Sequence, residues 1–500
     1  MKARWLFVLL LAALFTPTMI AAQSPGEDTR QIRAEDASNL GVLTLLAGHE
    51  EPIIEKRFSP GGTAFVTGSL DSTFCVWHVK ARDAAPGTAL MCLPNYSAGV
   101  TTHAWSAEED SIAITSGDGL SIAIYDTLDP AEGTPEPKTE IPPGEAVYLQ
   151  MAFVAEDTNL LVYDVFDTFT LIDLATGETL TSYEGIEHAI SPDREQIAIV
   201  TFDGETFLLD STTGEIIDTL NTEGATHAVF DPEGQYLATW GEQTLIWDLS
   251  HDTPDAEDLD TDMVDNATFS PAGQYLATWE GDTIRLWESD SGNEAGSMPE
   301  HDGGVSALVF SPNGERAISI DTTGKGRLWD IDEAGNVSQL LLFRDNIDGV
   351  AISPDSTTAI VTRLDFFARF YDIEAGQLRG RYEAPADSLI SPDWTLIAIN
   401  AGPVISWHGL RDDPREFAWM PVGELEVATN VRQTPSTELA RISVLPAGAP
   451  IFAFERTADS DWLHILLPDS TAGWIFATNL QNAGDLEALP VADLPPAEDE

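Results

Sequence analysis

Lysine is almost missing from this 500-residue chain. Lys2, Lys56, Lys80, Lys138 and Lys325 are the full set, and Lys plus Arg reach 24 against 83 Asp plus Glu, a net charge of -59. Binding to a phosphate backbone needs clustered cations, and so does electrostatic docking on anionic lipid. The composition excludes the first as a general mode and disfavours the second, and nucleic acid is not expected as a partner. Cysteine is nearly as scarce: Cys75 and Cys92 alone build neither a disulfide-rich scaffold nor a Cys-based zinc site. Beyond the first 22 residues no run of 18 apolar residues occurs, so no membrane span is expected in a mature chain. There is no H-E-x-x-H run, no Walker loop and no G-x-S-x-G elbow. Gly324-Lys325 lacks the upstream glycine of a phosphate loop, and the nine histidines contain no i, i+4 pair. Neither metal nor cofactor is therefore expected, and a non-enzymatic role ranks ahead of catalysis. Carboxylate pairs abound, but with so many acids none is diagnostic of acid/base work.

What the chain does have is material for a core. Hydrophobic residues make up 43%, which excludes wholesale disorder. The N-terminus reads as a secretory signal over residues 1–22. Lys2 and Arg4 supply the positive start, residues 5–15 an apolar run, and Ile20-Ala21-Ala22 a cleavage site before Gln23. A retained anchor is the alternative. The expected location is secreted or at the cell envelope, and the expected state a monomer. In an exported chain two cysteines can pair. Cys75 and Cys92 lie in strand-like runs, 73–79 and 88–93, and a hairpin centred near Asp83-Ala84 sets them face to face. A disulfide and two buried thiols are both open.

A phrase recurs along the chain: an apolar residue, then Ser-Pro, then a turn. It stands at Phe58-Ser59-Pro60, Ile190-Ser191-Pro192, Phe269-Ser270-Pro271, Phe310-Ser311-Pro312, Ile352-Ser353-Pro354 and Ile390-Ser391-Pro392, with Phe230-Asp231-Pro232 as a variant. Degenerate copies at Trp105 and Phe153 fill the gaps. Successive anchors are 37 to 48 residues apart, the length of a four-stranded sheet unit. Each unit continues with a second strand, such as Tyr275-Leu276-Ala277-Thr278-Trp279, and a third ending in an aromatic plus an acid, as in Trp247-Asp248, Trp287-Glu288 and Trp329-Asp330. Short alternating strands with turn residues at regular intervals specify an all-β array.

From about residue 40 to 411 the chain resembles a WD-repeat β-propeller. The resemblance is fullest in the first unit, with Gly48-His49, Asp71 and Trp77. It implies a structural hydrogen-bond network of His49, Asp71 and Trp77, completed by Thr67 or Ser69. The seventh unit offers His301 and Trp329 with its acid shifted to Asp321. The expected fold is a closed propeller of about nine four-stranded blades (range seven to nine), above the usual number of about four to eight. The resemblance also implies that residues 41–46, which have no unit before them, latch the ring as the outer strand of the last blade. A rival latch is residues 416–420.

A different signature follows Asp412-Asp413-Pro414: Asn430-Val431-Arg432, Leu445-Pro446-Ala447-Gly448, Trp462 and Gly473-Trp474. Residues 423–480 resemble the bacterial Src-homology-3-type module, with Thr434 where the family carries Gly. The resemblance implies a small β-barrel of a kind that attaches exported proteins to cell-wall peptides or glycans, with Trp462 and Trp474 as a candidate wall-ligand platform. Residues 481–500 read as an acidic, disordered tail. One acidic run, residues 251–265, has Asp258, Asp260 and Asp262 spaced like the start of a calcium loop, but Met263 stands at the glycine position and Phe269 at the final acid position. A solvated loop is the expected reading. The whole predicts an exported binding or scaffold protein, with the propeller engaging a protein or other ligand and the barrel tethering it to the cell wall. The alternative is an extracellular hydrolase or lyase with carboxylates at the propeller mouth.

Overall fold

A computed structural model describes residues 30–410 and 423–491, apart from 80–86, 88, 98–100, 128–134, 223, 252, 260, 262, 300, 344–346, 364–366, 385–386, 401–403, 436–440, 446–449, 452, 467–471, 482–485, 487–488 and 490. The expected secretory signal lies outside these residues.

The forty-residue period becomes nine four-stranded antiparallel sheets. Blades 1 to 8 comprise residues 53–94, 103–141, 148–184, 187–220, 225–258, 266–298, 305–343 and 347–383, each a meander of consecutive strands. Blade 9 takes three strands from residues 389–410 and its fourth from the N-terminus. Leu40–Ala47 pairs antiparallel with Val404–Leu410, from Leu40 opposite Leu410 to Ala47 opposite Val404. The outer position of blade 9 is thus filled by the N-terminal segment, and the rival 416–420 lies outside the described residues.

Strand alternation explains why no blade is stable alone. Successive side chains of a strand point to opposite faces. In blade 3, Leu160 and Val162 pack toward blade 2, while Leu161 between them packs toward blade 4. In blade 5, Leu237 and Trp247 face blade 4, while Ala238 and Ile246 face blade 6. Each buried cluster of the propeller joins two consecutive blades. The series closes: one cluster joins Ile360 and Phe370 of blade 8 to Ile397 and Ile399 of blade 9, and another joins Ala398, Ile405 and Trp407 of blade 9 to Phe58, Phe65 and Trp77 of blade 1. A short 3-10 helix, Ala34–Ser38, covers the first of these junctions with Ala34 and Ala37.

The recurrent Ser-Pro phrase is turn chemistry. In blade 1 the Ser59 hydroxyl accepts the Ala64 N–H at 3.0 Å, and the same bond joins Ser106 to Ser111, Ser191 to Gln196, Ser270 to Tyr275, Ser311 to Arg316, Ser353 to Thr358 and Ser391 to Leu396. The Asp231 carboxylate does the same for Tyr236. These side chains are buried, and each satisfies a backbone donor that the tight turn would strand. The turns also pack on one another around the ring. Gly62, at φ +68°, has Pro392 of blade 9 where its Cβ would be, at 3.0 Å, and Gly234 likewise faces Pro192.

Where the turn acid is missing, a neighbour supplies it. Blade 1 has Gly61 where Asp193, Asp355 and Asp393 stand in other blades. Glu109, buried in the turn of blade 2, reaches across to Ser59 Oγ at 2.8 Å, to the Thr63 N–H at 3.1 Å, and to the Gly61 N–H and the Thr63 hydroxyl.

The C-terminal segment forms a five-stranded and a three-stranded sheet around Leu425, Val431, Ile451, Leu463, Ile465 and Ile475. The disordered tail expected from residue 481 does not begin there. Gln481 pairs with Glu424, and Leu486 and Leu489 pack on the barrel core. Burying these apolar side chains offsets the ordering cost of an otherwise polar segment.

Candidate functional site

The meander topology sorts the loops between two ends of the ring. Turns between first and second strands, and between third and fourth, lie at one end, here the turn end. Turns between second and third strands, and the links from blade to blade, lie at the other, here the link end.

The predicted network sits at the link end. His49 comes from the link entering blade 1. Its Nε2 lies 2.7 Å from Thr67 Oγ1 and its Nδ1 2.7 Å from Thr73 Oγ1. Trp77 Nε1 donates to Thr67 Oγ1 at 2.8 Å, and Thr73 Oγ1 donates to Asp71 at 2.6 Å. Thr67, not Ser69, completes the network; the Ser69 hydroxyl donates to the Glu51 carbonyl. Burial pushes the Asp71 carboxyl up, but hydrogen bonds from Thr73 and from the Glu50 N–H hold it down at about 2. Burial also lowers His49, against the pull of Asp71. This cluster ties link, turn and third strand together, and its donors and acceptors face one another rather than solvent.

Blade 7 keeps part of the arrangement. His301 Nε2 lies 2.7 Å from Ser319 Oγ, which accepts Trp329 Nε1 at 2.8 Å, but His301 Nδ1 meets the Asp282 carbonyl, and Asp321 is occupied by its own turn. Blades 5 and 6 retain only the indole bond, Trp247 to Thr239 and Trp287 to Thr278. Sequence reasoning missed these two pairs, although the Ala-Thr-Trp of both second strands, with a Trp closing the third, was their signal.

Cys75 and Cys92 are register partners in blade 1 and are joined as a disulfide. Trp462 and Trp474 are corrected as a wall-ligand platform: they are 9% and 4% exposed. They alternate with the core residues Leu463 and Ile475 and therefore occupy the other face of the sheet. There Trp462 packs on Phe476 and Trp474 stacks on His464, each at 4.4 Å. Cross-strand aromatic pairing uses the ring surface that an open platform would offer. Of the calcium-like run, Asp258 ends the outer strand of blade 5, and Asp260 and Asp262 lie outside the described residues. Among the described residues no group of three His, Cys, Asp or Glu side chains is arranged to hold a metal.

The two ends of the ring differ in chemistry. At the link end, apolar side chains stand in water: Phe166 is 68% exposed and Phe202 57%, on adjacent turns of blades 3 and 4, with Val165, Leu149, Leu70, Ile54 and Met263 also exposed. Five first strands carry a β-bulge at their link end, re-aiming one residue each. These are Ile54, Leu149, Thr226, Ser306 and Asp348, all exposed. At the turn end none of the described turn residues is an exposed large hydrophobic, and exposed apolar side chains there, Leu180, Ile216, Ile217 and Leu378, lie on the edge-facing fourth strands.

Buried histidines make the fold sensitive to acid. Burial pushes His103 down to about 3 and His188 and His408 to about 4. In the unfolded chain each titrates near 6.5. Between those values the unfolded state binds protons that the folded state refuses, so stability falls as pH drops from about 6.5 toward 4, by roughly 1 kcal/mol per pH unit for each histidine. Glu55 and Glu187, raised by burial, act the other way just above 4.5. Urea midpoints at pH 7, 6 and 5 should decline steadily, and His188→Gln should flatten the slope; a flat wild-type profile contradicts this.

Residues 41–78 and 292–330 match the WD domain, G-beta repeat family, and residues 427–481 match the bacterial SH3 domain family. The two WD matches are the segments that contain His49 and His301. The Neurospora crassa periodic tryptophan protein 2 homolog is 30% identical over 98 residues, 19% of this chain and 11% of that protein, so the chain spans about a tenth of the curated relative it matches. Among solved structures, the C-terminal WD40 domain of Sif2 is similar over 64% of this chain and 95% of its own, at 12% identity and a TM-score of 0.46. Chaetomium thermophilum Sqt1, bound to the N-terminus of the ribosomal protein L10, is similar over 62% and 97%, at 15% identity and a TM-score of 0.44. The nine-sheet ring and the matched repeats define a WD-repeat β-propeller. The chain carries a bacterial SH3 domain behind it, and this pairing supports a binding or scaffolding role.

Proposed function

We propose that this is an exported, non-enzymatic binding protein. Its propeller presents the link end to a protein partner, and its C-terminal barrel tethers it to the cell wall. The asymmetry of the ring carries the reading. The described turns of the turn end carry no exposed large hydrophobic, while the link-end turns of neighbouring blades 3 and 4 hold Phe166 and Phe202 in water, as a docking surface does. Export is supported by the signal-like residues 1–22 and by the Cys75–Cys92 disulfide, a bond that persists in oxidising compartments. The test has two parts. The protein recovered from its own cells should lie outside the cytoplasm and show no free thiol under denaturing, non-reducing conditions. The full chain should sediment with purified cell wall, whereas a chain lacking residues 423–491 should not. Cytoplasmic recovery refutes export, and equal sedimentation of both chains refutes the tether.

A further inference from the structure

The turn end holds a second feature, a broad cleft of about 380 Å³ where blades 5, 6 and 7 meet. Asp231, Glu233, Glu288, Asp290 and Glu333 line it, and the rings of Tyr236 and Tyr275 border it. Gly273 is required there: a Cβ would lie 2.7 Å from Asp231 Oδ2, so only glycine lets that carboxylate sit so close. Tyr275 is positioned by a hydrogen bond from its hydroxyl to the Glu333 carbonyl at 3.2 Å. Among the described residues no Lys, Arg or His forms an ion pair with any of the five acids. Asp231 spends its carboxylate on the N–H groups of its own turn, which leaves Glu233, Glu288, Asp290 and Glu333 as the cleft's remaining acids.

Acids alone would describe a solvated surface. Ser289 distinguishes this one. It lines the cleft, is 3% exposed, and its hydroxyl has no partner within the chain. The hydroxyls that follow the third strand in other blades are satisfied internally: Thr127 donates to the Glu109 carbonyl at 2.6 Å and Ser211 to the Arg194 carbonyl at 2.8 Å. A buried hydroxyl without a partner costs free energy, and blade 6 alone of these three leaves it so, beside the acids and aromatic rings of the cleft. Burial and the neighbouring acids raise both tyrosine hydroxyls, in keeping with a strongly negative local potential.

We propose that this cleft binds the cationic side chains of a basic peptide segment, the carboxylates supplying charge, Tyr236 and Tyr275 the aromatic surface for a guanidinium or ammonium group, and Ser289 a hydrogen-bonding partner at the base. The site lies at the opposite end of the ring from the docking surface proposed above, so either can fail alone. Carboxylate hydrogen bonds select arginine, and aromatic rings favour the same group.

The probe is the peptide Gly-Arg-Gly-Arg-Gly-Arg, titrated calorimetrically into the full chain at 0.15 M salt. One peptide per chain is expected. Tyr236→Leu with Tyr275→Leu leaves the net charge unchanged and should weaken binding about tenfold. Asp290→Asn with Glu333→Gln should weaken it at least as much, while Glu178→Gln with Glu184→Gln, an equal charge loss on exposed residues of blade 3, should not. Should the tyrosine variant fail to fold, the two acid variants still decide. Absence of binding overturns the site, as do equal losses in both acid variants, which mean a diffuse field. Displacement of the peptide by stoichiometric calcium also overturns it, assigning the carboxylates to a metal instead.

Discussion

Trp407→Ala should destabilise the protein by about 4 kcal/mol, more than most single changes in the ring. Trp407 is fully buried on the third strand of blade 9, facing blade 1. Its ring meets Phe65 edge to face at 6.0 Å, and Phe65 in turn meets Phe58 at 4.6 Å. Truncation opens a cavity at the junction where the end of the propeller meets its beginning, and the surrounding strands are fixed by their own ladders and cannot collapse into it. The indole Nε1 has no hydrogen-bond partner, so Trp407→Phe discards no polar contact and should cost well under half as much. Denaturant midpoints for the two variants provide the check; equal losses mean that volume is not what Trp407 contributes.

Glu109→Ala is expected to cost about 3 kcal/mol. The substitution removes one carboxylate but strands several donors. The Gly61 and Thr63 N–H groups and the Ser59 and Thr63 hydroxyls all point at it, and the turn of blade 1 contains no acid to replace it. Glu109→Gln should be nearly as harmful, since its amide presents N–H groups to a site made of donors. Introducing Gly61→Asp into the Glu109→Ala background restores the Ser-Pro-Asp phrase of blades 4, 8 and 9 and should recover part of the loss. Thermal melts of the three variants measure this, and a lack of rescue would show that the turn acid is not the interchangeable part.

The repeat was legible because its chemistry is local. A serine that accepts the N–H five residues ahead leaves the same phrase wherever the turn recurs, so nine units were countable without any knowledge of packing. The latch was legible for the opposite reason: residues 41–46 had no unit to belong to. Glu109 was not legible, because it completes a turn some 48 residues upstream in the sequence, and nothing in its own neighbourhood marks it. Trp462 and Trp474 misled because aromatics at the end of a barrel motif serve a ligand or a cross-strand ladder equally well, and only their pairing with Phe476 and His464 decides. The five bulges were invisible, since a bulge adds a residue to a strand without changing its composition. Ser289 differs from Ser211 by what it fails to touch, and sequence does not record that.

Closing a nine-blade ring with the first strand has a consequence for biosynthesis. Leu40–Ala47 contains no charged residue and six apolar ones, and it is made first. Its partner Val404–Leu410 follows roughly 360 residues later, about 20–70 s at ordinary elongation rates. For that interval an uncharged, strand-forming octapeptide has no mate, which is the kind of segment that pairs with whatever edge it meets. Two nascent copies that exchanged these segments would each obtain a complete ring and be locked together as an intertwined dimer. Rapid capture by a holding chaperone during synthesis would keep the segment available for its own chain.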